Sequence, residues 1–322
     1  MRMLKYILKR LGLLFVVSMI IMTICFVLIK LLPIQYEAQT GSQAMIEHQR
    51  REALGYFEPI PVQYGIYLKN IFTKWDWGTS WELEYMTGVE EVIGQRLFPT
   101  FLLNFYSICF SIPFGILLGI FAALKKNKWQ DHFISTAVML FISVPSYVYA
   151  FLVQYFLAHK LGWFPHIMSS LHNAGGSFFT AKMFHSMVLP ILAMSFGTIA
   201  TLSRFTRAEL TETLTSEYML LARTKGLTRS QATIRHALKN AMVPILPTIV
   251  SLFLGLLSGS MIIEQIFAVR GVGQLYLQSI MRRDYDVFMA CGMFYTVLGL
   301  GGMILVDLSY GFLDPRIRMG EK

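Results

Sequence analysis

Four histidines lie in one stretch of the sequence: His159, His166, His172 and His185. Imidazole is a common metal ligand, so such a group is first tested as a metal site. The spacings between these histidines fit no pair of ligands on one helix. We therefore interpret them as histidines at a membrane surface, and we predict no metal site.

Nucleotide chemistry would require a glycine-rich loop that holds phosphate groups. The sequence contains no Gly-x-x-x-x-Gly-Lys-Ser/Thr pattern and no Gly-Lys dipeptide. Gly271-Val272-Gly273 lacks the third glycine of a dinucleotide site, because Tyr276 stands at that position, and we interpret it as a turn. We predict that the chain is not an enzyme and binds no cofactor of its own.

Ionisable residues deep in an apolar segment would indicate a proton relay or an ion site, because a charge is costly there. Lys30, His185 and Asp307 lie only near the ends of such segments, so the sequence gives little support to a proton-coupled transporter. Uncharged polar residues lie deeper, where they either line a pathway or form hydrogen bonds between helices. They are Asn104, Ser107, Ser143, Gln154, Ser251 and Ser258.

Six long segments free of charged residues dominate the 322-residue chain, which is 55% hydrophobic and 15% charged. A helix needs about 20 apolar residues to cross a hydrocarbon layer roughly 30 Å thick. Buried helices of a soluble protein could produce one or two such segments, but not six. We predict six transmembrane helices, over residues 11–29, 97–124, 133–159, 183–203, 241–263 and 287–306.

Basic residues flank these segments unevenly. If the N-terminus is cytoplasmic, the inner segments 1–10, 125–128, 204–240 and 312–322 contain seventeen lysines and arginines, whereas the short outer loops contain five. Such an excess is typical of the cytoplasmic side. We therefore predict a multi-pass protein of the cell (cytoplasmic or inner) membrane with both termini inside. The net charge of +9 then reflects topology and indicates no nucleic-acid partner.

The predicted helices divide the chain into four parts. Residues 1–32 form an N-terminal tail and the first helix, which is retained because no small-residue cleavage site follows it. Residues 33–96 form a small, acidic extracytoplasmic domain. Residues 97–311 form the core, with a long cytoplasmic segment at 204–240, and residues 312–322 form a cytoplasmic tail. Three tryptophans of the outer domain predict either headgroup contacts or a small hydrophobic core: Trp75, Trp77 and Trp81.

The cytoplasmic segment 204–240 predicts two short helices. Gly226 fits a position that ends a helix in left-handed backbone, where a side chain would clash. Thr228, with Gln231 three residues later, matches a capping box that begins the next helix. Pro244 and Pro247 mark the entrance to the fifth membrane helix. The segment either fixes topology through its charge alone or acts as a lever that a cytoplasmic motor moves.

Three short motifs stand in this segment: Glu217-Tyr218, Ala222-Arg223-Thr224-Lys225-Gly226-Leu227 and Arg235-His236-Ala237-Leu238-Lys239-Asn240-Ala241. Together they resemble the cytoplasmic loop of permeases in binding-protein-dependent ABC importers. In that family the loop forms a coupling helix that docks into a groove on the ATP-binding subunit. The resemblance implies ATPase coupling through Glu217, Tyr218, Ala222, Arg223, Lys225, Gly226, Leu227, Arg235, His236 and Asn240.

Further motifs extend the resemblance over nearly the whole chain: Pro61-Val62-Gln63-Tyr64, Trp77-Gly78-Thr79-Ser80, Arg96-Leu97-Phe98-Pro99-Thr100, Glu264-Gln265-Ile266-Phe267, Gly271-Val272-Gly273, Arg283-Asp284-Tyr285 and Leu313-Asp314-Pro315-Arg316. They are similar to the B-type subunit of the dipeptide, oligopeptide and nickel branch. The chain departs from that pattern after the first helix, where Leu32-Pro33-Ile34-Gln35 replaces a Gly-Asp-Pro cluster. Arg270 and Asp286 also stand where proline is common.

The resemblance implies an all-α integral membrane protein with the type I ABC importer permease fold and a peripheral first helix. It implies a heterodimeric pore with a second, related permease, two cytoplasmic ATPases that use ATP and magnesium, and an extracellular peptide-binding protein. We expect import of dipeptides or oligopeptides by alternating access. Three alternatives stay open: nickel or another small solute as substrate, a channel or secondary transporter without an ATPase, and a receptor that does not transport.

Overall fold

The computed structural model describes residues 2–32 and 42–313, with side chains for residues 7–32 and 44–306. The predicted tail from residue 314, the segment 33–41 and the side chain of Asp307 lie outside the described residues. Helices fill most of the described chain: α1 (Arg2–Lys30), α2 (Ser42–Ala53), α3 (Ile60–Lys74), α4 (Val89–Leu124), α5 (Trp129–Ser143), α6 (Ser146–Val153), α7 (Ala181–Leu214), α8 (Glu217–Thr224), α9 (Arg229–Ala232), α10 (Leu238–Met242), α11 (Leu246–Leu254), α12 (Met261–Ile266), α13 (Val272–Arg282) and α14 (Tyr285–Leu313).

Two kinds of element interrupt this helical pattern. Strands β1 (Thr79–Ser80) and β2 (Thr87–Gly88) pair antiparallel in a short hairpin between α3 and α4. π-Helical turns follow α6, over Gln154–Lys160, and α9, over Thr233–Ala237. A π-helical turn holds one residue more than an α-helical turn and often lies near a functional site.

Four helices of the described residues are long and apolar enough to cross a membrane: Ile7–Lys30, Val89–Leu124, Ala181–Leu214 and Tyr285–Val306. Two bent pairs pass the same test, Trp129–Ser143 with Ser146–Lys160 and Arg229–Met242 with Leu246–Leu254. If each pair is one span, the total is six, as predicted, although the second pair begins at Arg229, inside the segment 204–240 that was predicted to be cytoplasmic.

The predicted third span, 133–159, is not one continuous helix. It breaks between Ser143 and Ser146, and the two halves meet at 106°. Pro145 has no N–H for the helical ladder and forces the preceding residue out of helical backbone. Val144 accordingly has an extended conformation, with φ −86° and ψ 129°. The predicted fifth span, 241–263, is also not one continuous helix: the chain bends by 50° between Met242 and Leu246, beside Pro244, and α11 ends at Leu254, before the start of α12 at Met261.

The chain forms two compact units, the first of which comprises Met1–Thr100 and Arg270–Ile304. In this unit Phe26 of α1, Ile71 of α3 and Met293 of α14 are buried in one cluster. A second cluster joins the start of α4 to α13 and α14. Trp77 packs against both clusters, as a small hydrophobic core requires, whereas Trp75 is 66% exposed.

Asp284, between α13 and α14, holds the β1–β2 hairpin. Its Oδ2 atom accepts hydrogen bonds from Ser80 Oγ at 2.6 Å and from the backbone N–H groups of Glu82 and Leu83 at 3.1 Å each. The carboxylate is 1% exposed. Hydrogen bonds to a buried charged acceptor are about twice as strong as neutral ones, so Asp284 fixes the turn after β1.

Asp284→Asn is expected to lower the free energy of unfolding by about 1–2 kcal/mol, because the acceptor oxygen stays but its charge is lost. Thermal unfolding of the full-length chain in lipid nanodiscs measures the change. Glu82→Gln, on an exposed side chain beside the same turn, is the control and should unfold like the wild type. Equal stability of Asp284→Asn and the wild type would contradict this role.

The second unit comprises Phe101–Val269 and Leu305–Lys322. Glycines let α4 and α7 approach closely in this unit. A Cβ atom at Gly115 would lie 2.7 Å from Leu202 Cβ, and one at Gly119 would lie 2.5 Å from Thr206 Cβ. Glycines four residues apart are a recurrent device for close contact of helices in membranes. α7 also continues to Leu214, beyond the predicted span end at residue 203, so its last three turns lead directly to the segment that the resemblance assigns to coupling.

Candidate functional site

α8 is a short helix with a well-defined end. Gly226 has φ +89°, and the open space around it would admit a Cβ atom, so the backbone conformation alone favours glycine. Gly226 N–H donates to Arg223 O at 3.0 Å and Leu227 N–H donates to Ala222 O at 3.3 Å. This pair of bonds is a Schellman motif, which satisfies the last carbonyls of the helix. The predicted helix stop at Gly226 is confirmed.

α9 begins two residues later with the predicted capping box. Gln231 N–H donates to Thr228 Oγ1 at 3.3 Å, and Thr228 N–H donates to Gln231 Oε1 at 3.1 Å. Both bonds satisfy N–H groups that the first turn of a helix leaves free. The turn between α8 and α9 is therefore fixed at both ends by local hydrogen bonds.

The inner face of α8 rests on small side chains. Met219 and Ala222 are 4% and 6% exposed and pack in a cluster that we call the α8 base. The other buried members of the α8 base are Ala123, Leu210, Ala232, Ala237 and Ala241. Alanines let helices approach closely, and they leave few rotamers to adjust. α8 is thus held rigidly against the ends of α4 and α7 and against the α9–α10 segment.

The opposite face of α8 is apolar although it faces away from the base. Tyr218, Leu220 and Leu221 are 38%, 68% and 55% exposed, and we call them the α8 exposed face. Glu217 precedes Leu220 and Leu221 by three and four residues and so lies on the same side of α8, and Arg223 and Lys225 follow these leucines; all three charged side chains are exposed. Exposed apolar side chains with charged neighbours are typical of a site that binds another protein.

The ten residues predicted for coupling divide between these two faces. Ala222 is buried in the α8 base, and Leu227 packs against it. The other eight are exposed: Glu217, Tyr218, Arg223, Lys225, Gly226, Arg235, His236 and Asn240. Leu220 and Leu221 were not predicted, because similarity to a family motif depends on residue types and does not indicate which side chains are exposed. The helical period could have found Leu221, which lies three residues after Tyr218.

Asp131 and Arg207 form an ion pair that the sequence analysis did not identify. Arg207 Nη2 donates to Asp131 Oδ2 at 2.8 Å, and Arg207 Nε donates to Oδ1. The Asp131 side chain is 1% exposed and that of Arg207 is 33% exposed. Asp131 also accepts from Asn127 N–H at 2.9 Å. The pair therefore ties the α4–α5 turn and the start of α5 to α7, two turns before α7 ends at Leu214.

Residues predicted for a pathway have different surroundings. Ser107 is buried, and its Oγ atom lies 3.1 Å from Ser195 Oγ. It therefore forms a hydrogen bond between helices, which was the alternative to lining a pathway. Gln154 Nε2 donates to His166 O at 2.8 Å. Ser251 Oγ donates to Thr248 O at 2.7 Å within its own helix. Asn104 is half-buried, and Ser143 and Ser258 are exposed.

The histidines of the stretch 159–185 do not converge. The rings of His159 and His166 lie 6.1 Å apart, and His185 Nε2 contacts Trp163 O at 2.9 Å. Within the described parts of the chain, no group of three or more His, Cys, Asp or Glu side chains could hold a metal ion. The described histidines thus give no support to a metal-binding interpretation.

Comparison with known families identifies the kind of protein that contains the α8 segment. The pattern described as Binding-protein-dependent transport system inner membrane component matches residues 115–319, which include α7 to α11. Its N-terminal counterpart matches residues 3–83. The chain belongs to the binding-protein-dependent transport system inner membrane component family. This permease is therefore a multi-pass membrane protein, as predicted, and the family resemblance of the α8 segment is confirmed.

Similar proteins match this permease over nearly its full length. The Dipeptide transport system permease protein DppB of Bacillus subtilis is 33% identical over 99% of this chain and 99% of that protein. The protein of the same name from Lactococcus lactis is 34% identical over 98% of this chain and 100% of that protein. The Glutathione transport system permease protein GsiC of Pectobacterium atrosepticum is 31% identical over 98% of this chain and 99% of that protein.

A solved structure matches the fold. The inward-facing MetNI methionine ABC transporter aligns with a TM-score of 0.50 at 17% identity, over 68% of this chain and 96% of that chain. At this identity the likeness concerns the fold alone. The predicted class, an α-helical membrane protein with the type I permease fold, is confirmed, with the β1–β2 hairpin as a small addition.

Proposed function

We propose that this chain is the permease subunit of an ATP-driven importer of dipeptides or oligopeptides and forms half of its translocation pore. The observation that carries the proposal is the match to two permeases named for dipeptide transport, over 98–99% of this chain. Both DppB relatives and the glutathione permease are named for substrates with peptide bonds. A pathway that contacts peptide backbones and termini would accept varied side chains.

The α8 exposed face is the proposed docking site for an ATP-binding subunit. Tyr218 and Leu221 offer apolar contacts, and Glu217, Arg223 and Lys225 offer charged contacts beside them. The partner would hydrolyse ATP with magnesium and push on α8. Because α8 rests rigidly on the α8 base, the push would pass to α7 and to the α9–α11 segment and would open the pore alternately to either side.

The distribution of charge supports the proposed topology, and the family resemblance implies the partners of the assembly. The excess of basic residues supports cytoplasmic termini, a cytoplasmic α8 and an extracytoplasmic domain at 33–96, followed by the core at 97–311 and a cytoplasmic tail at 312–322. The proposed assembly contains a second, related permease, two ATPases and an extracellular peptide-binding protein. Asn104, Ser143, Gln154, Ser251 and Ser258 stay proposed pathway residues, whereas the buried contact of Ser107 with Ser195 favours a structural role.

Uptake into proteoliposomes tests this function. The purified assembly is reconstituted with its binding protein, and labelled dipeptide, tripeptide, hexapeptide and ⁶³Ni²⁺ are supplied separately. We expect accumulation of at least one peptide, dependent on ATP, and no accumulation of nickel. Vesicles with ADP in place of ATP are the control.

Three results would contradict the proposal, and each would support a different alternative. Accumulation of nickel alone would indicate a metal importer. Peptide uptake that follows a proton gradient without ATP would indicate a secondary transporter. Binding of peptide without accumulation inside the vesicles would indicate a receptor.

A further inference from the structure

A small cavity lies in the first compact unit, among the end of α1, helix α3 and the start of α14. The side chains of Phe26, Lys30, Tyr56, Gln63, Tyr67 and Asp286 line it, and we call it the Lys30 cage. The free space holds about one water molecule. The proposed transport cycle assigns no role to these residues.

Aromatic rings and a carboxylate surround the Lys30 ammonium group. Lys30 Nζ lies 3.8 Å from the ring centroid of Tyr56 and 5.5 Å from that of Phe26. A cation over an aromatic face is attracted by the negative charge of the ring face. Tyr56 Oη donates to Asp286 Oδ2 at 2.6 Å, and Thr79 N–H donates to the same oxygen at 3.1 Å. One tyrosine therefore contacts both the cation and the anion of the cage.

Tyr56 is a stable donor in this arrangement. Desolvation of its hydroxyl, followed by the charge of Asp286 and the hydrogen bond to it, raises the pKa of Tyr56 well above its usual value of 10. Trp81 Nε1 donates to Tyr56 Oη at 3.2 Å, which fixes the hydroxyl from its other side. The Tyr56 proton therefore stays on the bond to Asp286 throughout the physiological range.

The charges of the cage wall balance once Lys30 is present. Asp76 also lines the cavity, but Arg50 Nη2 lies 3.1 Å from each of its carboxylate oxygens. Lys30 and Asp286 are then the remaining basic and acidic side chains on the described wall. A neutral occupant fits the remaining space, whereas a metal ion would lie next to an ammonium group. Without Lys30, Asp286 would have no basic side chain facing it on the described wall, and an added ammonium ion would take the place of the Lys30 group.

Two buried oxygens at the cage have unused hydrogen-bonding capacity. Gln63 Oε1 and Tyr67 Oη are buried and have no partner within residues 7–32 and 44–306. Gln63 Nε2 donates to Tyr56 O and to Glu58 O at 3.3 and 2.7 Å, so the orientation of the amide is fixed with Oε1 as the unpaired atom. Buried polar atoms nearly always have a partner, which is often an ordered water.

We propose that the Lys30 cage is a binding site for a hydrated primary ammonium group. Lys30 is its resident cation, and one bound water accepts from the ammonium, donates to Gln63 Oε1 and forms a hydrogen bond with Tyr67 Oη. Three hydrogen bonds are typical of a buried water. The site connects the end of α1 to α3 and α14 through polar contacts, which a helix end exposed to lipid would not form.

The proposed water determines the direction in which Tyr67→Phe should change the melting temperature. If the water is present, removal of the hydroxyl should lower the melting temperature by about 2–4 °C, the effect of one lost hydrogen bond. If the cavity is dry, removal of an unpaired buried hydroxyl should leave the melting temperature unchanged or raise it. Tyr64→Phe is the matched control on the same helix, because Tyr64 Oη has a partner, Thr23 Oγ1, at 2.6 Å. A loss for Tyr67→Phe comparable to that for Tyr64→Phe supports the water, and any other result overturns it.

The ammonium preference is tested with Lys30→Ala, purified and melted in ethylammonium chloride. Ethylammonium should raise the melting temperature of this variant by about 2–4 °C at ten times its dissociation constant. Tetramethylammonium chloride at equal concentration is the control, since it is too large for the cage and donates no hydrogen bond. Lys30→Ala/Asp286→Asn should lose the response. Equal effects of the two salts, or failure of Lys30→Ala to fold in ethylammonium, would overturn the proposed ammonium site.

Cysteines provide a local readout of melting in both tests. Cys291 is fully buried and Cys25 is half-buried, and both lie in clusters of the same compact unit. Cys109 is exposed, so Cys109→Ser removes the background reaction. A thiol-reactive fluorogenic dye, added to the full-length chain in nanodiscs, then reports the opening of the unit that contains the cage.

Discussion

Arg207→Ala is expected to lower the free energy of unfolding by about 3 kcal/mol or more, because it leaves a buried carboxylate without its partner. Asp131 is 1% exposed and receives both Arg207 hydrogen bonds. Thermal unfolding in nanodiscs measures the loss. Arg207→Lys should recover only part of it, since lysine cannot form the two parallel bonds.

The double variant Asp131→Ala/Arg207→Ala separates a lost ion pair from lost packing. It leaves no buried charge, so it should be more stable than Arg207→Ala alone. If the double variant is less stable than the single one by the full effect of Asp131→Ala, the two side chains act independently. That result would contradict the role of the pair in fixing α7 to the α4–α5 turn.

Leu221→Asp is expected to abolish co-purification of the permease with an ATP-binding subunit. The substitution places a carboxylate in the proposed apolar contact. An unpaired buried charge there should lower the affinity for the ATP-binding subunit by more than about tenfold. Leu221 is 55% exposed, so α8 should stay folded. Affinity pull-down with the tagged permease and ATPase activity of the recovered complex are the two measurements.

Ser230→Asp is the matched control for that experiment. Ser230 is exposed in the first turn of α9, where an acidic side chain is favourable for a helix, and it lies outside the α8 exposed face. It adds the same charge to the same segment and should leave the association intact. Wild-type recovery of the ATPase with Leu221→Asp, or equal loss with Ser230→Asp, would contradict docking on this face.

Local rules explain why parts of the α8 segment could be predicted from the sequence. Gly226 and the Thr228–Gln231 pair act within a few residues, so the helix stop and the capping box follow from residue type and spacing alone. The apolar segments likewise give six candidate spans, the number that the described helices reach if each bent pair is one span. Pro145 is present in the sequence as a residue that breaks helices, but the 106° angle between the two halves of the third span depends on how both halves pack.

Contacts between distant residues explain what the sequence did not predict. Asp131 and Arg207 are 76 residues apart, and nothing local indicates that they meet. Lys30 was recognised only as a charge near a helix end, whereas the structure places its ammonium group over Tyr56. Ala222 was assigned a contact with a partner because it belongs to a shared motif, but its methyl group lies inside the α8 base.

The π-helical turn at Thr233–Ala237, between α9 and α10, contains one residue more than an α-helical turn. Deleting one residue there would restore an ordinary α-helix, and the alanines on either side, Ala232 and Ala241, would keep their orientation. A deletion of one residue inside α8, before Ala222, would rotate the rest of that helix by about 100° and expose Ala222. Natural relatives should therefore tolerate length changes at the π-helical turn and show none within α8.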